Sequence, residues 1–125
     1  MSPELTKRLV ARHPALLAMP EDSVILQRGV ECGDGWYDLI DGALTAIEKH
    51  SATVNAKPPA ILQIKQKIGL LRVYFSPYGD IIRSIIDDAE RKSGTTCEQC
   101  GRPGKLVKGP HILVTCGRDH HDGRS

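Results

Sequence analysis

The sequence predicts an α+β fold: three helices packed on a small antiparallel β-hairpin, followed by a C-terminal zinc ribbon. Three observations carry this reading. Apolar residues recur at helical spacing in three stretches, the period drops to two between Ile61 and Phe75, and a Cys97-x2-Cys100 knuckle is followed by Cys116 and two histidines. At 125 residues the chain reads as an α+β body over 1–94 and a zinc-ribbon-like metal-binding segment over 95–125. Aromatic residues are only 4%, so Ile, Leu and Val must build the core, and a metal staple would offset its modest size.

Ser2-Pro3-Glu4 is a helix start: a hydroxyl cap, proline at the first helical position and an acid in the first turn. Leu5, Leu9 and Val10 keep helical spacing until Pro14 ends the helix near Arg12–His13. Leu16, Leu17 and Met19 read as a short continuation, and residues 20–35 as a loop with a short strand at Ser23–Leu26. Trp36, Leu39, Ile40, Ala43, Leu44 and Ile47 then form a full helical stripe, with Asp34 placed to cap it.

The stretch "SATVNAKPPA" breaks the pattern as a loop. In the hairpin, Leu62 and Ile64 alternate with Gln63, Lys65 and Lys67, and Leu71, Val73 and Phe75 alternate with Arg72 and Tyr74. This gives one buried face and one basic face, with the turn at Ile68–Leu70. Ile81, Ile82, Ile85, Ile86 and Ala89 mark the third helix, closing at Ser93–Gly94.

The spacing C-x2-C-x15-C-x3-H sets three sulfurs and an imidazole on two knuckles of a hairpin, with strands at Lys105–Lys108 and His111–Thr115. Cys97, Cys100, Cys116 and His120, with His121 as the alternative fourth ligand, would close a tetrahedral Zn²⁺ shell. Four protein ligands leave no position for water or substrate, so the expected zinc is structural. The other reading of the knuckle is a Cys97–Cys100 disulfide. The triplet Asp119-His120-His121 also suggests an HNH-type nuclease, but only Asp122 to Ser125 remain to supply the helix such enzymes need.

Charge is unevenly spread. Residues 21–48 carry seven acids against Arg28 alone, a net of −6, whereas 91–125 carry seven bases against three acids, a net of +4. Asp34, Asp38 and Asp41 share one side of the second helix by spacing. Lys65, Lys67 and Arg72 lie beside Tyr74 on the hairpin, and Arg102, Lys105 and Lys108 surround the ribbon. Each group is either a solvated surface or a partner surface. A non-enzymatic interaction protein is the leading expectation, with no catalytic residue. The runner-up is a nucleic-acid-binding module using the basic hairpin and ribbon. A third reading is an enzyme built on Asp34, Asp38 and Cys32, where Cys32 otherwise reads as a small buried apolar residue. No apolar run is long enough to span a membrane and the start is no signal peptide, so a cytoplasmic setting with no membrane partner is expected.

The stretches Ala11–Pro14, "ECGDGWYDLI" at Glu31–Ile40, Lys65–Tyr74 and Ile85–Gly104 come in the order found in a group of small phage- and prophage-encoded proteins. The chain resembles that group over most of its length. The departure is at the end, where the group closes with C-x2-H and this chain has Cys116 followed by His120 and His121. The resemblance implies a phage or prophage setting in a bacterial host cytoplasm. It also implies a partner among host proteins or protein–nucleic-acid complexes, defence systems included.

Overall fold

Local signals start each element, and long-range packing sets its limits. The computed structural model describes residues 1–17, 23–76 and 79–118. Ser2 caps α1 (Pro3–Arg12), its hydroxyl accepting the Leu5 N–H at 3.2 Å. The chain turns at His13, whose N–H returns to the Leu9 and Val10 carbonyls, and Pro14 opens α2 (Pro14–Leu17), which buries Leu16 and Leu17. Met19 lies outside the described residues. The strand expected at Ser23–Leu26 is instead a short helix, α3 (Val24–Arg28). The Ser23 hydroxyl accepts the Leu26 N–H at 3.2 Å, and over so short a run this cap outweighs the β-branched Val24 and Ile25.

A single 3₁₀ turn at Asp34–Trp36 leads into α4 (Tyr37–Thr53). The expected Asp34 cap is not made: the cap position of α4 falls on Trp36, and Asp34 lies within the 3₁₀ turn, where its carboxylate accepts the Ser2 N–H at 2.7 Å instead. Trp36, Ile40, Leu44 and Ile47 are buried as expected. The helix runs on through Ser51–Thr53, into the predicted loop, because Ser51 continues the buried stripe one turn beyond Ile47.

Strands β1 (Ile61–Lys67) and β2 (Leu70–Phe75) pair antiparallel, with Lys65 opposite Arg72. The register shifts between Ile61 and Gln63, a bulge that resets the alternation. Ile61 and Ile64 therefore fill the core, and Leu62, expected inside, is 42% exposed. Both outer edges of the hairpin are closed. Beyond β1, the Glu31 N–H donates to the Ile64 carbonyl and the Glu31 carbonyl accepts from Gln66 N–H, each at 2.9 Å. Beyond β2, the Leu71 N–H donates to Ser93 Oγ and the Val73 N–H to Glu90 Oε2, each at 3.0 Å.

Those two acceptors come from α5 (Asp80–Ser93), which packs on β2 and α4 and buries Ile82, Ile86 and Ala89. Ile81, expected in the stripe, is 55% exposed, since five apolar residues make a stripe wider than the covered face. A second antiparallel pair, β3 (Lys105–Val107) and β4 (Leu113–Thr115), follows, with Leu106 opposite Val114. The architecture is thus mixed helix and small antiparallel sheet, with five α-helices among the described residues where the sequence predicts three. The core is gathered around Trp36, Ile40, Leu44, Ile64, Leu71, Ile82 and Ile86. Each such side chain contributes about 1.5–3 kcal/mol by burial.

Candidate metal centre

The turn after Cys97 is wound by its own backbone. Gly101 N–H donates to the Cys97 carbonyl at 2.9 Å, Cys97 N–H to the Arg102 carbonyl at 2.7 Å, and Gly104 N–H to the Thr95 carbonyl at 2.9 Å. This winding aims backbone N–H groups at sulfur. Burial pushes the Cys97 thiol up, but the N–H groups of Gln99, Cys100 and Cys116 outweigh it and hold it at about 6. For Cys100 the Arg102 N–H pulls down, yet burial and the neighbouring Cys116 and Cys97 sulfurs raise it.

Strand β4 delivers Cys116 to the same spot. The three sulfurs lie within 4.8 Å of one another, with Cys100 and Cys116 3.6 Å apart. None of the cysteines forms a disulfide, so the Cys97–Cys100 pairing is not made. Cys97 is buried, Cys116 intermediate and Cys100 exposed. Three thiols this close, one held near the thiolate form, could hold a metal ion. His120 and His121 lie outside the described residues.

The cluster is seated on the body through residues whose partners the sequence does not reveal. Gly35 N–H donates to the Glu98 carbonyl at 2.7 Å, Gly33 N–H to Glu98 Oε2 at 2.9 Å, and Trp36 Nε1 to the Thr96 carbonyl at 2.8 Å. The two glycines are there for close approach. A Cβ on Gly35 would strike the Cys97 carbonyl oxygen and stand 2.6 Å from the amide nitrogens of Cys100 and Gly101. A Cβ on Gly33 would strike the Glu98 carbonyl oxygen. Gln66 completes the seat, its Nε2 lying 3.4 Å from both Glu98 Oε1 and the Ile112 carbonyl. In the sequence, two glycines flanking Asp34 just before a tryptophan signal this close approach, whereas nothing local marks Glu98, between the two cysteines, as their partner.

The other expected site residues fall into separate places. Cys32 is buried, and burial pushes its thiol up to about 12, far from a nucleophile's range. The three acids do not form one free face: Asp34 precedes α4, Asp38 is exposed, and Asp41 is engaged. Arg12 Nε donates to Asp41 Oδ1 at 2.9 Å and Arg12 Nη2 to Oδ2 at 3.2 Å, while His13 Nε2 lies 2.6 Å from Asp41 Oδ1 and His13 Nδ1 2.7 Å from Glu48 Oε1. That buried histidine between two carboxylates, tying α1 and α2 to α4, was not foreseen. Lys65 and Arg72 are half-buried and paired across the hairpin, and Lys67, Arg102, Lys105 and Lys108 are exposed.

Comparison with protein-family models, with curated proteins and with solved structures finds no match to the chain. No helix among the described residues is long and apolar enough to cross a membrane.

Proposed function

We propose that the chain is a non-enzymatic binding protein of phage or prophage type. Its second hairpin is a zinc ribbon holding one structural Zn²⁺ through Cys97, Cys100, Cys116 and His120, with His121 as the alternative fourth ligand. Its target is a host protein or protein–nucleic-acid complex, a defence system among the candidates. The observation that carries the reading is the convergence of three sulfurs from both arms of the hairpin at a seam with the body. Two thiolates on a tetrahedral Zn²⁺ at about 2.3 Å sit about 3.8 Å apart, which suits the 3.6 Å between Cys100 and Cys116. A metal there would tie the two arms of the second hairpin to each other, a structural task, and leave the charged surface for recognition. The buried Cys32, with its thiol pushed up to about 12, supports a reading without nucleophilic chemistry at that cysteine.

Metal analysis of protein purified without added metal, joined to zinc-edge absorption, tests the first half. One zinc per chain with three sulfur neighbours and one nitrogen is expected. A bound water in the shell would reopen catalysis at the metal, and no zinc at all would remove the ribbon. Affinity purification from a bacterial host, with any retained protein identified and rebound in pure form, tests the second half. Retention of nothing that rebinds would sink it.

A further inference from the structure

The outward face of the first hairpin concentrates three cations against one carboxylate, that of Glu31, whose backbone is bridged to Lys65. Lys65 and Arg72 stand directly opposite each other across β1 and β2, and alternation puts Lys67 and Tyr74 on the same face. Like charges directly opposite destabilise a sheet. Among the described residues, none of Lys65, Lys67 and Arg72 enters an ion pair. Arg72 Nη1 donates to the Leu71 carbonyl at 3.2 Å, and the Glu31 carboxylate at the edge of the face accepts from Gln63 Nε2 at 2.8 Å. Because Glu31 closes one edge of the hairpin, and Ser93 and Glu90 the other, a partner cannot join as a third strand. It must lie across the side chains.

We propose that this face binds single-stranded nucleic acid. Lys65, Lys67 and Arg72 take backbone phosphates, and Tyr74, 41% exposed beside them, stacks a base. Phosphate between Lys65 and Arg72 removes the repulsion that the free protein carries. The aromatic platform favours nucleic acid over an acidic protein segment, which would use the cations alone. The inference rests on the binding-protein reading above and names its partner class and surface.

The test is fluorescence anisotropy of a labelled oligothymidylate of about 15 nucleotides, titrated with the full chain. With three phosphate contacts on a single strand, affinity should fall roughly 20-fold between about 50 and about 200 mM NaCl. Lys65→Gln should reduce the salt slope by about 0.7 while raising the melting temperature, since it breaks up a like-charge pair. Tyr74→Leu should weaken binding at least about fivefold with the fold intact. A purely structural role for Lys65 would move affinity and stability in the same direction. No binding overturns the proposal, as does binding that ignores both variants but is lost in Lys105→Gln/Lys108→Gln. Equal affinity for polyglutamate also overturns it, in favour of an acidic protein partner. A chain that rebinds a host protein yet ignores the oligonucleotide keeps the broader reading and loses this one.

Discussion

The Trp36 indole nitrogen donates to the Thr96 carbonyl oxygen at 2.8 Å, joining residues 60 positions apart. Trp36 is the only tryptophan and is fully buried, so it reports directly on the docking of the cysteine knuckle. If the three cysteines hold a metal, a chelator should lower the melting temperature and shift tryptophan emission to the red, as the knuckle loosens from the body. Emission unchanged by metal removal would show that the knuckle stays docked without it. Trp36→Phe leaves the Thr96 carbonyl unpaired and should cost about 1–3 kcal/mol in denaturant unfolding.

Gly35→Ala places a methyl group against the backbone of Cys97, Cys100 and Gly101, where no side-chain rotation can relieve it. It should destabilise by about 2 kcal/mol or more and weaken metal retention. Gly42→Ala is the internal contrast: it lies within α4 with nothing within 4 Å of the new Cβ, and should stabilise by about 0.5–1 kcal/mol. Equal effects from the two would contradict the seating described for the knuckle.

Acid should act through Asp41. Burial pushes its carboxyl up, but hydrogen bonds from Arg12 and His13 outweigh this and hold it below its ordinary value. A lowered folded pKa contributes stability that is fully present above the unfolded value of about 3.9 and is lost as pH falls through the folded one. Asp41→Asn should therefore be less stable at neutral pH, and its curve should converge with that of the parent in acid. Parallel curves, measured by urea unfolding across pH, would rule this contribution out.

Cys32 should resist alkylation in the native protein, being buried with its thiol held at about 12, and react only on unfolding. Mass spectrometry after brief iodoacetamide treatment reads this directly. Rapid native labelling at Cys32 would place it at the surface and revive it as a nucleophile.

The hairpin turn carries an avoidable strain. Ile68 has φ 53 and Gly69 φ 82, the two left-handed positions of a type I′ turn, and a β-branched residue is poorly suited to the first. Ile68 is 65% exposed, so little burial compensates. Ile68→Asn should raise stability by about 1 kcal/mol, seen as a higher urea midpoint with an unchanged slope.

The sequence by itself determined the elements whose causes are local. Ser2-Pro3-Glu4 starts α1, the stripe from Trp36 to Ile47 lays down α4, the alternation around Lys65 and Arg72 makes the hairpin, and the cysteine spacing sets the three sulfurs. Each depends on residues a few positions apart, where period and capping act. Leu62 was misplaced because a bulge shifts register without altering composition, and α3 because a five-residue apolar run carries no decisive period.

Tertiary structure alone decided what seats the cysteine cluster and what ties down the first helices. Glu98 meets Gly33 across 65 residues of chain, and His13 meets Asp41 across 28. Neither pair leaves a periodic trace, because a hydrogen bond between distant segments depends on where packing brings them. Two glycines and one buried histidine acquire their roles only when the core has closed around Trp36.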